Sequence, residues 1–122
     1  MKKILITGHK GFIGSKLYDY FKSKNYYVRG IDLKEGKDIL HCLPKENFDY
    51  VFHLAAIPRV GYTVLRPSYT LKQNVYVTSV LLEWCKDNGV KRFVFSSSSA
   101  VYGNGDMKPN SPYGLQKLIS EL

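Results

Sequence analysis

Thr7-Gly8-His9-Lys10-Gly11-Phe12-Ile13-Gly14 places glycines at three-residue spacing. It follows the apolar run Lys3-Ile4-Leu5-Ile6-Thr7, which is rich in β-branched residues and ends in glycine as a buried parallel strand does. It precedes a helical pattern in which Phe12, Ile13, Leu17, Tyr18 and Phe21 recur, with Asn25 as terminator. Each glycine has a physical task in a strand-loop-helix turn. The first permits the sharp turn, the second lets backbone approach a pyrophosphate, and the third lets the helix pack close while its N-terminus attracts the anion.

Outward from that loop, strand and helix patterns alternate. Tyr26 to Asp32 reads as a second strand. The charged stretch Leu33 to Asn47, with Gly36 and Pro44, has room only for a brief helical turn. Tyr50 to Leu54 is a third strand. From about Ser68 to Asn88, Leu71, Val75, Thr78, Leu81, Leu82 and Cys85 mark one face of the longest helix, which Asn88-Gly89 ends. Arg92 to Ser96 is a fourth strand, a linker-like loop runs from Gly103 to Asn110, and Pro112 suits the first turn of a last helix. Such alternation implies parallel strands joined by right-handed crossovers, with ligands at their carboxyl ends. The expected fold is therefore α/β, a partial doubly wound parallel sheet of Rossmann type, with strand order 3-2-1-4.

At 122 residues the chain is long enough for one domain, residues 1–122, and too short for a cofactor domain plus a separate substrate domain. No apolar run approaches the roughly 20 residues of a membrane span, and the opening apolar stretch falls short of the ~7–15 of a signal segment. Cys42 and Cys85 lack CxxC spacing and His partners, which argues against zinc or a disulfide framework and for a cytoplasmic setting. The net charge of +8 is spread along the chain without a basic run of five. A solvated basic surface that favours phosphorylated ligands explains it better than nucleic-acid binding.

Asp32 ends the second strand, 18 positions after Gly14. A carboxylate there can accept hydrogen bonds from both hydroxyls of an adenosine ribose and would repel a 2′-phosphate, so NAD is expected over NADP, with Lys34 near enough to soften the repulsion. The alternative is an Asp that caps a turn. Tyr113 and Lys117 lie on one helix face at i and i+4, where an ammonium can favour ionisation of the phenol. His9 and Lys10 face either phosphate or solvent, and His53 reads as a satisfied strand-end histidine.

With these motifs in place, the whole chain resembles the N-terminal part of an extended short-chain dehydrogenase/reductase, in the NAD-dependent epimerase/dehydratase group that acts on nucleotide sugars. The glycine loop has that group's TGxxGxxG form. His53-Leu54-Ala55-Ala56 is similar to its third-strand motif, Asn74-Val75 to the start of its long helix, and Ser96 to Gly103 to its fourth-strand segment. The resemblance implies a catalytic triad of Ser98, Tyr113 and Lys117, with Ser98 assigned by counting back from Val101-Tyr102-Gly103 along a run of serines. It implies that Gly8, Gly11, Phe12, Ile13 and Gly14 hold the cofactor's phosphates, that Asp32 and Leu33 meet its ribose, and that Asp38-Ile39 contacts adenine. Leu54, Ala55 and Ala56 would line the cofactor, Ser96 and Ser97 would lie near the nicotinamide, and Asn74 would be a structural or cofactor contact.

In that scheme Tyr113 takes a sugar hydroxyl proton as hydride leaves, Ser98 holds the oxygen, and Lys117 also bonds the nicotinamide ribose. The family continues beyond its Tyr-x3-Lys helix into strands and a region that grips the nucleotide sugar. This chain is therefore expected to be truncated and inactive alone. The alternatives are an inactive dinucleotide-binding module or half of a split enzyme. The long and final helices are those through which the family commonly dimerises, which implies a homodimer or larger species.

Overall fold

The computed structural model describes residues 1–103, 105 and 108–122, so the loop expected from Gly103 to Asn110 lies partly outside them. Two compact units emerge, one of Met1–Ala55 with Val80–Ser96 and one of Ala56–Ser79 with Ser97–Leu122.

The first unit is built on four parallel strands, β1 (Lys3–Thr7), β2 (Tyr27–Ile31), β3 (Tyr50–His53) and β4 (Arg92–Phe95), in the order β2-β1-β3-β4. The α/β, all-parallel class is as expected. The order is not the expected 3-2-1-4, because β3 pairs with β1 rather than lying outside β2. Burial explains why. β1 is covered along its whole apolar run, with Ile4, Leu5, Ile6 and Thr7 all inside, and so takes a central place with both edges paired. β2 pairs on one side only, with β1, and so forms an edge, while its burial alternates between the two faces of the sheet, Val28 inside and Tyr27 and Arg29 out. The short connection, a 3-10 turn at Leu33–Glu35 and the one-turn helix α2 (Ile39–Cys42), returns the chain to the other side of β1. There Asp49 donates its amide to Lys3 O at 2.8 Å, and its Oδ2 accepts the Lys3 amide at 2.8 Å.

Helix α1 (Phe12–Ser23) lays Leu17, Tyr18 and Phe21 on the core made by Ile4, Ile6 and Val28. Phe12 and Ile13, which share the apolar pattern in sequence, are instead exposed at the helix start. The register aligns Thr7 with Ile31 and with His53, and His53 with Phe95, so the carboxyl ends of the strands open at one level.

In the second unit the last helix, α6 (Pro112–Glu121), packs against α3 (Val60–Leu65), α4 (Pro67–Leu71), a π turn at Lys72–Tyr76 and a 3-10 turn at Ser99–Tyr102. The long helix read from the sequence runs from α4 through the π turn into α5 (Val77–Asp87). An i→i+5 turn inserts one residue and rotates the buried face. Thr70, Asn74, Val77, Thr78, Leu81 and Cys85 are buried, whereas Leu71 and Leu82, assigned to that face by simple periodicity, are exposed. Among the described residues no helix is long and apolar enough to cross a membrane.

Candidate functional site

Gly8 has φ +77°, a left-handed conformation that turns the chain off β1, and its amide donates to Ile31 O at 2.7 Å. A Cβ on Gly8 would stand 2.8 Å from Ala55 N, so the third-strand motif backs directly onto the loop. A Cβ on Gly14 would collide with the Gly8 carbonyl oxygen. These glycines are therefore demanded by close approach of backbone to backbone. Gly11 caps α1 without a side-chain acceptor, which leaves the amides of the first turn turned outward with the positive end of the helix dipole behind them.

Asp32 caps a turn, the alternative weighed for it, and also ties that turn to the glycine loop. Its Oδ1 accepts the Lys34 amide at 2.9 Å and caps the 3-10 turn, while its Oδ2 accepts the Lys10 amide at 2.9 Å and ties the glycine loop to the end of β2. Each oxygen keeps a further lone pair for a ligand hydroxyl. His9 faces neither phosphate nor solvent. Its ring is buried over Gly30, where a Cβ would strike it, lies 5.3 Å from Tyr18, and sets Nε2 3.1 Å from Glu35 Oε1. Asp38 caps α2 by accepting the Leu40 amide at 3.0 Å, and the Ile39 side chain is buried, so their side chains are committed to local structure.

Thr7 was absent from the sequence-derived site, yet its hydroxyl organises the end of the sheet. Oγ1 accepts the amides of Leu54 and Ala55, each at 3.1 Å, and lies 2.6 Å from His53 Nδ1. With both lone pairs taken, the hydroxyl proton points to Nδ1, which puts the imidazole proton on Nε2. His53 is the satisfied strand-end histidine expected.

In the second unit Ser98, Tyr113 and Lys117 come together. Ser98 caps the 3-10 turn, its Oγ accepting the Ala100 amide at 3.1 Å, and it is hydrogen-bonded to the Tyr113 phenol. Ser97, next in line, is turned to Glu121 at 2.7 Å, which resolves which serine of the run faces Tyr113. Ser111 and Pro112 start α6, with Ser111 Oγ accepting the Gly114 amide at 3.0 Å. Gly114 permits the start of α6 to lie on Ala100, whose carbonyl oxygen would be 2.5 Å from a Cβ there.

Tyr113 and Lys117 are both buried, with the Lys117 ammonium 6.0 Å from the centre of the Tyr113 ring. Burial raises the Tyr113 phenol above its ordinary range, and the Ser98 hydrogen bond pulls the other way. Burial also lowers Lys117 to about 8. The pair thus differs from the simple sequence expectation of a phenol lowered by its lysine.

Lys117 gives a pH-dependent stability. In the folded protein it releases its proton near 8, while in the unfolded chain it keeps it to about 10.4. Below pH 8 folding must bury the charge, and that cost fades as pH rises between the two values. Wild-type stability should therefore carry a component that rises between about pH 8 and about 10.4, and Lys117→Met should lose that component. Urea midpoints of both proteins across that range check this.

The buried amide of Asn74 holds the π turn to the neighbouring chain. Its Oδ1 accepts the Ile57 amide at 2.7 Å, and its Nδ2 donates to Ile57 O at 3.1 Å and to Gln116 Oε1 at 2.7 Å. Gln116 Nε2 continues to Thr70 Oγ1 at 3.1 Å. Gln116 was not singled out in the sequence, since a glutamine between Tyr113 and Lys117 carries no signal until the π turn brings Asn74 to it. Among the described residues no cluster of His, Cys, Asp and Glu could hold a metal ion.

The sequence profile of the NAD dependent epimerase/dehydratase family matches residues 4–122, and the chain belongs to that family. The UDP-glucose 4-epimerase of Streptomyces lividans is 40% identical, the match covering 95% of this chain and 44% of that protein. Among solved structures, MoeE5 in complex with UDP-glucose and NAD superposes with a TM-score of 0.86 at 34% identity, over 98% of this chain and 46% of the other. TunA, an NAD dependent NDP-hexosamine 5,6-dehydratase involved in tunicamycin biosynthesis, superposes with a TM-score of 0.91 at 29% identity, over 99% and 48%. The chain spans about half the length of these relatives.

Proposed function

We propose that this chain binds NAD and forms the cofactor-binding portion of an oxidoreductase that modifies a nucleotide sugar. The observation that carries the reading is the cradle at Gly8, Gly11 and Gly14, where side chains are excluded by backbone contact and an uncapped helix start is left for an anion. Those residues fit a pyrophosphate, and the spare lone pairs of Asp32 fit a ribose diol. Exposed Phe12 and Ile13 supply apolar surface beside the loop, and Leu33, Ala55 and Ala56 are further candidate cofactor contacts. Relatives crystallised with NAD and UDP-glucose support the same assignment.

When bound, NAD supplies the hydride acceptor. Tyr113 then acts as general base toward a sugar hydroxyl, aided by Lys117 and oriented by Ser98. Because burial holds the free phenol up, the base needs added positive charge before it can ionise near neutral pH. Asn74 and Gln116 hold the helix that carries the pair. Ser96 and Ser97 stand at the end of β4 as further candidate contacts. Self-association as a homodimer and a cytoplasmic setting complete the proposal.

The test is to mix the protein and Tyr113→Phe with NAD and UDP-, dTDP- or GDP-hexoses, following the near-ultraviolet absorbance of reduced nicotinamide. Binding of NAD without turnover is expected of this chain alone; reduction by the wild type, lowered at least about 100-fold in Tyr113→Phe, would instead show that these residues carry the activity themselves. NAD binding without reduction by any sugar would favour the second reading, a dinucleotide-binding module.

A further inference from the structure

We infer that Glu35 sets the preference of the dinucleotide site for a ribose with a free 2′-hydroxyl, by occupying the Lys10 ammonium of the glycine loop, which would otherwise receive a 2′-phosphate. The inference rests on the reading of the loop as an NAD site. Glu35 closes the 3-10 turn that Asp32 begins, so it stands a short turn away from the proposed ribose ligand. Its two oxygens reach back to consecutive residues of the loop. Oε1 is 3.1 Å from His9 Nε2, and Oε2 is 3.6 Å from Lys10 Nζ.

Lys34, next to Glu35 in the turn, is also engaged. Lys34 Nζ donates to Lys10 O at 3.4 Å, while the amides of Lys10 and Lys34 are both held by Asp32. Asp32 and Glu35 therefore balance Lys10 and Lys34 in formal charge. A 2′-phosphate, carrying about −1.5 to −2 charges, would meet two carboxylates, with the Lys10 ammonium held by one of them and Lys34 turned to a backbone carbonyl. The Lys10 side chain is half exposed and long, so its ammonium can swing to a phosphate once released. Glu35 itself is more than a third exposed, and because the buried His9 ring has no hydrogen-bond partner at Nδ1 among the described residues, the glutamine variant is the informative one: its amide oxygen still serves Nε2.

Asp32 alone explains discrimination by repulsion at the ribose. Glu35 adds a separate device, because it controls whether the loop offers a positive charge at all. Its two arms also differ in consequence. The His9 arm ends on a buried ring packed over Gly30 and against Tyr18, which has no freedom to swing to a phosphate. The Lys10 arm ends on a mobile side chain, and that arm carries the specificity.

Calorimetric titration of NAD and NADP into wild type, Glu35→Gln, Glu35→Lys and the double variant Glu35→Gln/Lys10→Met tests the assignment. Glu35→Gln should leave NAD affinity within about twofold and tighten NADP at least about fivefold, with Glu35→Lys exceeding it. The double variant should lose most of the gain. Wild-type NAD binding with an unchanged NADP-to-NAD ratio in Glu35→Gln would overturn this inference alone, as would a gain that persists without Lys10. Absence of NAD binding by the wild type would overturn the site reading as well.

Discussion

Gly14→Ala is expected to abolish measurable NAD binding and to destabilise the fold by about 2–3 kcal/mol. The added methyl would meet the Gly8 carbonyl oxygen, and behind it the Gly8 carbonyl carbon at 2.8 Å and His9 Cα at 3.0 Å. All of these are backbone or attached to it, so no side chain can rotate away. Either α1 moves off the sheet or Gly8 leaves the position in which its amide reaches Ile31 O. Both responses spoil the convergence of the loop amides on a phosphate. Gly61→Ala is the matched control, because a Cβ there meets nothing within 4 Å and its position inside α3 favours alanine. The control should be neutral or slightly stabilising. Urea unfolding and NAD titration on both variants decide the matter.

Asp32→Asn is expected to weaken NAD binding by about 10- to 100-fold while costing the fold less than about 1 kcal/mol. The reason lies in how the carboxylate is used. One oxygen accepts the Lys34 amide and the other the Lys10 amide, so an asparagine keeps one acceptor and loses the second together with the charge. A turn-capping aspartate with no ligand would show the small stability loss and no change in NAD affinity. Asp32→Ala removes both acceptors and should cost about 1–3 kcal/mol more. That separation of binding from stability distinguishes a ribose ligand from a structural cap.

Much of this site was legible in the sequence because its signals are local. A glycine loop between an apolar strand and an amphipathic helix reads correctly from spacing alone, and so do the strand-terminal Asp32 and the i, i+4 relation of Tyr113 to Lys117 on a helix begun by Ser111-Pro112. Strand order was not legible. It depends on which edge of β1 the chain returns to after a short connection, and the deciding contact, Asp49 with Lys3, spans 46 positions. The alternation of Tyr27, Val28 and Arg29 marks two faces of a sheet, as the alternation in central β3 also does, and carries no information on which strand is the edge.

Other features escaped because they arise from packing rather than pattern. The π turn at Lys72–Tyr76 shifts the buried face by one residue, so Leu71 and Leu82 were assigned inward and lie outward. Helix α3 buries only Thr63 and shows too weak a period to announce itself. His9 is a loop residue with no apolar neighbours in sequence. Its burial follows from Gly30, a strand glycine whose missing side chain makes the space the imidazole fills. Ser98 could be reached only by counting within a serine run, and the turning of Ser97 to Glu121 now distinguishes the two.

The central claim is that the glycine loop, with Asp32 behind it, binds the pyrophosphate and adenosine ribose of NAD. Its most direct test is a calorimetric titration of NAD into the 122-residue protein, run beside Gly14→Ala. A single-site isotherm for the wild type that vanishes in the variant is the predicted result. Absence of binding by folded wild-type protein, or equal binding by both, would contradict it.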